Sequence, residues 1–193
     1  MEELKLYALT GGIGSGKSTA LKIIENAGYK TFSSDEIVAD LYTDIEVRKK
    51  LKPLFTDAVI GDEFILDKKK IATVVFSDKE KHLALTNLIT PMVLAEIFRR
   101  SSQNTGKVFV EVPLLFECGF EDMFDGVIVI TRTKEERIKS VITRSNLTEK
   151  EVKARMLNQF DYENADLKNY TVIENSGNVD DLKEKIISKI KSL

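Results

Sequence analysis

Near the amino terminus, Gly11-Gly12-Ile13-Gly14-Ser15-Gly16-Lys17-Ser18 has the spacing G-x-x-x-x-G-K-S. Glycines at that density let a backbone wrap around a polyphosphate with its N–H groups turned inward, and a helix starting at the end of the loop offers its positive pole to the same anion. The flanks fit: the apolar run Leu4-Lys5-Leu6-Tyr7-Ala8-Leu9-Thr10 reads as a strand, and Ala20 to Ala27 carries apolar residues at helical spacing before Gly28. Lys17 is therefore expected to reach the β- and γ-phosphates of a nucleotide, and the Ser18 hydroxyl to ligate Mg²⁺. Gly12, Ile13, Gly14, Ser15, Gly16, Lys17, Ser18 and Thr19 make up the expected phosphate contact. A dinucleotide G-x-G-x-x-G is absent, because Lys17 stands where the third glycine would fall counting from Gly12.

Phosphoryl transfer also needs a group for the acceptor proton, a cation ligand and neutralising charge. Asp35 follows the second expected strand, Tyr29 to Ser34, and suits either a general base or the N-cap of the next helix. Glu111 lies near the end of the apolar run Val108-Phe109-Val110-Glu111-Val112, where a carboxylate holds Mg²⁺ directly or through water, or else pairs with a structural lysine. Arg137, Arg144 and Arg155 fall on or between two charged helices that read as a hairpin; Arg144 is the first choice for a closing arginine, and the alternative for all three is a solvated surface. The single His82 reads as an exposed helix residue and the single Cys118 as a small apolar loop residue, so neither a disulfide nor a cysteine-based zinc cluster is available within the chain.

The elements that must hold these groups alternate between strand and helix. Val108–Val112 and Val127-Ile128-Val129-Ile130 are uninterrupted apolar runs of strand length, as expected of parallel strands covered on both faces, and Thr171-Val172-Ile173-Glu174 is a final strand before the amphipathic helix 179–193. Thr133 with Glu136 and Thr148 with Glu151 are capping boxes for the two hairpin helices, the second running to about Gln159. Between 45 and 105 the pattern is helical without convincing strands, with Ser77 and Glu80 as a further capping box and Pro91 expected to split the last helix. Lys68-Lys69-Lys70 there reads first as a solvated helix face. Alternation of this kind implies a parallel α/β sheet with ligands at the carboxyl ends of its strands.

Size and composition set outer bounds. A chain of 193 residues, 42% hydrophobic and 31% charged, suits one globular domain with inserts. The formal net charge of −2 gives no field to attract nucleic acid or an anionic membrane. No run approaches membrane-spanning length and no basic-then-apolar leader opens the sequence, so a cytoplasmic protein is expected, with no bearing on oligomeric state.

Taken together, Leu9 to Thr19, the Asp35 segment, Pro113-Leu114-Leu115-Phe116-Glu117, Arg144, Arg155 to Gln159, and Val172 to Gly177 resemble the dephospho-coenzyme A kinases, in that family's order and over almost the whole chain. The resemblance implies a three-layer P-loop kinase fold: a nucleotide core (1–35, 106–131, 170–193), a helical substrate region (36–105) and a lid (132–169). It implies transfer of the ATP γ-phosphate, with Mg²⁺, to the ribose 3′-hydroxyl of dephospho-coenzyme A. By position it makes Asp35, Lys17 and Arg144 the catalytic set, puts Asn175 and Gly177 beside the adenine, and assigns Asp35, Lys68, Leu114 and Glu117 to the acceptor. The chain departs from the family pattern at Ser33-Ser34-Asp35 (usually Asp-Ala-Asp), Lys68 (usually Arg), Thr90 (usually His) and Asn169-Tyr170 (usually Ala-Asp). Lysine cannot reproduce bidentate anion binding by arginine, so the exchange bears on acceptor recognition. Two rivals stand beside this reading: another small-molecule kinase of the same fold, and a GTPase-type switch. Thr133-Lys134-Glu135-Glu136 resembles a guanine-reading motif but ends in Glu rather than Asp, and no D-x-x-G follows Glu111.

Overall fold

The computed structural model describes residues 2–56, 58–60, 63–145 and 147–193. Their elements run β1 (Lys5–Thr10), α1 (Lys17–Asn26), β2 (Lys30–Ser33), α2 (Ser34–Leu41), α3 (Ile45–Leu51), β3 (Val59–Ile60), β4 (Ile65–Leu66), α4 (Lys68–Ser77), α5 (Lys79–Ser101), β5 (Lys107–Glu111), α6 (Leu115–Cys118), β6 (Gly126–Thr131), α7 (Lys134–Arg144), α8 (Glu149–Leu157), β7 (Thr171–Glu174) and α9 (Val179–Ser192). They divide into two compact units, one of residues 1–33 and 101–193 and one of residues 34–100.

The first unit is built on a five-stranded, all-parallel sheet in the order β2-β5-β1-β6-β7. Both faces of its central strands are buried, which explains their unbroken apolar sequence. Tyr7, Leu9, Phe109, Ile128, Ile130 and Ile173 meet Ala20, Ile23 and Ile24 of α1 and Leu182, Ile186 and Ile190 of α9 in one cluster. The alternate residues Leu6, Ala8, Val108, Val110, Val127 and Val129 point to the opposite face and are buried as well. Register aligns the functional edge: Leu9 pairs with Glu111 and Glu111 with Ser33.

After α8 the chain crosses back over this unit on aromatic side chains. Phe116 of α6 lies 4.5 Å from Phe160 and 5.1 Å from Tyr170 between ring centroids, and Phe160 lies 5.1 Å from Tyr162. The Tyr162 hydroxyl ends 3.2 Å from Thr10 Oγ1 at the end of β1. Burial, opposed by that hydrogen bond, pushes the Tyr162 phenol up to about 12.

In the second unit Ile37, Val47, Leu51, Phe55, Ile71, Ile89 and Ile97 are buried. Three local features differ from the sequence expectation. The segment between α3 and α4 holds a two-residue antiparallel pair, β3 with β4, too short to leave an alternation in the sequence. Helix α5 continues through Pro91 rather than splitting; the proline is exposed, where the missing hydrogen bond is least costly. Asp78, not Ser77, caps α5, with Oδ1 accepting from the Glu80 and Lys81 N–H groups, while the Ser77 hydroxyl donates to Thr73 O and Val74 O. A carboxylate one residue closer to the helix outcompetes the hydroxyl. Glu96 accepts from Arg99 and Arg100, whose hydrogen bonds hold its carboxyl down at about 2.

Ile24 is fully buried in the α1–sheet–α9 cluster, so Ile24→Ala is expected to lower unfolding stability by about 2–5 kcal/mol, whereas exposed Ile142→Ala stays within about 0.5 kcal/mol. Urea midpoints at unchanged slope measure both, and an Ile24→Ala midpoint equal to wild type would contradict this packing. Tyr162 supplies a second expectation. An acid whose folded pKa is raised contributes stability that is intact below its ordinary value near 10 and is lost as pH rises toward about 12. Tyr162→Phe is thus expected to lose roughly 0.5–1.5 kcal/mol at neutral pH with the hydrogen bond, and to lose less stability than wild type above pH ~10. Thermal midpoints across that range test it; parallel curves would show that the phenol is not held neutral by the fold.

Candidate active site

The loop 11–16 joins β1 to α1, and its shape is held by side chains from outside it. Lys17, only 9% exposed, donates from Nζ to Gly11 O (2.8 Å) and Gly12 O (3.3 Å). Ile13 N–H donates to Gln159 Oε1 at 2.8 Å, and Ile13 O accepts from Arg137 Nε at 3.0 Å. Asn175 Nδ2 donates to Ser15 O at 2.8 Å, and Asn175 N–H in turn donates to Thr131 O, tying this brace to the end of β6.

Two glycines are demanded by these approaches. Gly14 has φ +78°, and a Cβ there would lie 2.5 Å from Arg137 O. Gly16, at φ +101°, caps α1, and a Cβ there would overlap the Asn175 amide. A side chain at either position would meet strain and collision together.

Beside the loop, Ser18 Oγ donates to Glu111 Oε1 at 3.2 Å, and Glu111 is 6% exposed. A hydroxyl and a carboxylate at the mouth of a phosphate loop are hard oxygen donors suited to Mg²⁺, which keeps several waters and takes its remaining ligands from substrate phosphates. Among the described residues no cluster of three or more His, Cys, Asp or Glu side chains is placed to hold a metal ion. The Ser15 hydroxyl is buried without a hydrogen-bond partner among the described residues.

The remaining expected residues fall as follows. Asp35 is exposed in the first turn of α2, one residue inside a helix that begins at Ser34; it is not the cap, and its charge favours the helix dipole. Arg144 is exposed in the last turn of α7 and Arg155 in the last turn of α8. Arg137 is 5% exposed, packs against the loop and pairs with Glu163 at 3.5 Å; burial lowers its pKa and Glu163 opposes that. Lys68 is exposed at the start of α4, with Nζ 5.7 Å from the centre of the Tyr42 ring. Leu114 is 46% exposed, whereas Leu115 beside it is fully buried. Glu117 Oε1 accepts from Phe160 N–H at 2.9 Å. Gly177 has φ +104° in the turn before α9. Thr133 accepts from Glu136 N–H and donates to the Glu136 carboxylate, so both ends of the segment resembling a guanine reader serve as a helix cap.

Sequence reasoning gave no role to Gln159 or Tyr162 and cast Asn175 only as an adenine neighbour. Polar braces arriving from 146, 152 and 160 residues away carry no periodicity; for Gln159 the sole signal was its place at the end of the Arg155–Gln159 segment.

Among the described residues no helix is long and apolar enough to cross a membrane. The family model described as dephospho-CoA kinase matches residues 6–181. A protein named dephospho-CoA kinase from Thermus thermophilus is 34% identical over 189 residues, covering 97% of this chain and 91% of that protein. A solved structure from Thermus thermophilus superposes with a TM-score of 0.85 at 34% identity, over 100% of this chain and 99% of the other. The solved dephospho-CoA kinase of Campylobacter jejuni superposes with a TM-score of 0.69 at 30% identity, over 97% and 96% of the two chains. With a phosphate loop at the carboxyl edge of a parallel sheet and a family match from β1 into α9, this chain belongs to the dephospho-CoA kinase family.

Proposed function

We propose that the protein transfers the γ-phosphoryl group of ATP to the ribose 3′-hydroxyl of dephospho-coenzyme A, giving coenzyme A and ADP. The observation that carries the chemistry is the braced loop 11–16 with buried Lys17 at its base; the family match carries the acceptor. Lys17 moves from its own loop carbonyls to the β- and γ-phosphates, and loop N–H groups other than that of Ile13, which Gln159 holds, take the phosphate oxygens. The buried Ser15 hydroxyl, without a partner among the described residues, supports a phosphate oxygen arriving at this loop to take its hydrogen bond. Ser18 and Glu111 would hold Mg²⁺, which when bound would supply positive charge to offset that of the phosphates.

Asp35 accepts the proton of the 3′-hydroxyl. Support comes from the chain: Asp35 follows by two residues Ser33, which is in register with Glu111 at the carboxyl edge of the sheet. Arg144, exposed on α7, neutralises phosphate charge from the 132–169 segment, which works as the lid. Lys68 and Leu114 contact the acceptor, and Gly177 lies by the adenine. Glu117 contributes to the acceptor site by fixing the chain at Phe160, and Asn175 to the nucleotide site by fixing Ser15. The enzyme works in the cytoplasm, in keeping with its lone Cys118.

The direct test is incubation with Mg·ATP and dephospho-coenzyme A, followed by mass and position of the new phosphate. A 3′-phosphorylated product supports the assignment, and turnover only with a nucleoside monophosphate or a sugar acid overturns it. Lys17→Ala is expected to fold and to lose most of its turnover, because the lost charge acts mainly on the transition state. A folded Lys17→Ala with near-normal turnover would remove the loop from the mechanism. Asp35→Asn is expected to shift stability by no more than about 1 kcal/mol, the value of one charge near a helix start, and to lower turnover ~10²–10⁴-fold at unchanged ATP affinity. Wild-type turnover in Asp35→Asn would reduce Asp35 to a helix-dipole residue.

A further inference from the structure

Both backbone poles of Ile13 are occupied by side chains from the 132–169 segment: Gln159 Oε1 takes its N–H at 2.8 Å, and Arg137 Nε holds its C=O at 3.0 Å. In a trans peptide the N–H and C=O point in opposite directions, so holding one pole aims the other. With Ile13 N–H turned to Gln159, the Gly12 carbonyl of the same peptide faces the other way, and Lys17 Nζ lies on it at 3.3 Å. With Ile13 C=O turned to Arg137, the Gly14 N–H faces away from Arg137 Nε. Asn175 does the equivalent two residues on, holding Ser15 C=O and so turning the Gly16 N–H away from itself.

The chemistry of the two braces suits this task. Arg137 is 5% exposed, with its backbone pressed against Gly14 and its guanidinium against Gly12, so it supplies a donor that cannot swing away. Gln159 supplies a neutral acceptor; a carboxylate there would accept the same N–H but add negative charge beside a site built for anions.

We propose that Arg137 and Gln159 are positioning residues for phosphoryl transfer: held at both ends by them, Ile13 keeps the Gly14 N–H turned from Arg137 Nε and the Gly12 carbonyl turned to the Lys17 ammonium. This deepens the kinase reading and rests on the loop being the phosphate site. It also divides the 132–169 segment in two. Its inner edge, Arg137 and Gln159, is the outer wall of the loop, while Arg144 at the far end of α7 is exposed.

The test separates the braces from mere packing. Arg137→Gln keeps an N–H donor on the atom attached to Cδ and removes the charge, whereas Arg137→Met has about the length of glutamine and removes the donor; both lose the outer guanidinium, so their difference reports the donor alone. Gln159→Leu removes the acceptor at a half-buried site and is the variant to rely on if Arg137→Met fails to fold. Turnover number and KM for ATP and for dephospho-coenzyme A are measured alongside thermal midpoints, with wild type and Lys17→Ala in the same assay. Arg137→Met and Gln159→Leu are expected to lower turnover roughly 10–100-fold with acceptor KM within about threefold, since misplaced groups forfeit transition-state contacts first. Arg137→Gln is expected to recover most of the loss, and the double variant Arg137→Met/Gln159→Leu to lose less than the product of the two single losses, because both serve one residue. Folded Gln159→Leu with wild-type turnover, or Arg137→Gln no better than Arg137→Met, would overturn the proposal. Inactive wild type would instead refute the kinase reading, and an active Lys17→Ala would refute the loop as the phosphate site.

Discussion

A polyphosphate bound by main-chain N–H groups is held by atoms that no substitution can improve; they can only be aimed. In this protein the aiming is done from the opposite poles of the same peptides: Arg137 on Ile13 C=O turns the Gly14 N–H, Asn175 on Ser15 C=O turns the Gly16 N–H, and Gln159 on Ile13 N–H turns the Gly12 carbonyl that Lys17 meets. Lys17 completes the frame from within by donating to the Gly11 and Gly12 carbonyls. Loss of one brace would free a glycine-rich segment with little intrinsic preference among its backbone conformations.

The rest of the first unit serves to deliver those braces. Asn175 stands directly after β7, whose parallel pairing with β6 also sets the Asn175 N–H on Thr131 O. Gln159 stands just after α8, on a strap fixed by the Phe116, Phe160, Tyr162 and Tyr170 rings, by Glu117 on the Phe160 N–H and by Tyr162 against Thr10. Pro113 to Glu117, which the family resemblance assigned in part to the acceptor, thus also has a mechanical role: Leu115 anchors the segment, Phe116 and Glu117 hold the strap, and the strap holds the loop.

Much of this was legible in the sequence, and what was legible depended on local signals. The phosphate loop declares itself by glycine spacing and Lys17, the buried strands by unbroken apolar runs, and α8 by the Thr148–Glu151 capping box, which forms with both of its hydrogen bonds. What stayed hidden was either too short or too distant. The β3–β4 pair has two residues per strand, and the choice of Asp78 over Ser77 turns on a single position. The braces on the loop come from polar residues 124 to 160 positions away, and only the closed fold brings them together. Asp35 shows the same limit in a milder form, since a helix start was readable but its first residue was displaced from Asp35 to Ser34.

The most direct test of the braced loop is a crystal structure with a non-hydrolysable ATP analogue and Mg²⁺. Expected there are Ile13 N–H still on Gln159, Ile13 C=O still on Arg137 and Ser15 C=O still on Asn175. The loop backbone should be unmoved, with only Lys17 Nζ transferred from the Gly11 and Gly12 carbonyls to phosphate oxygens. A loop that abandons those three side chains and re-forms around the nucleotide would contradict a site shaped before its ligand arrives.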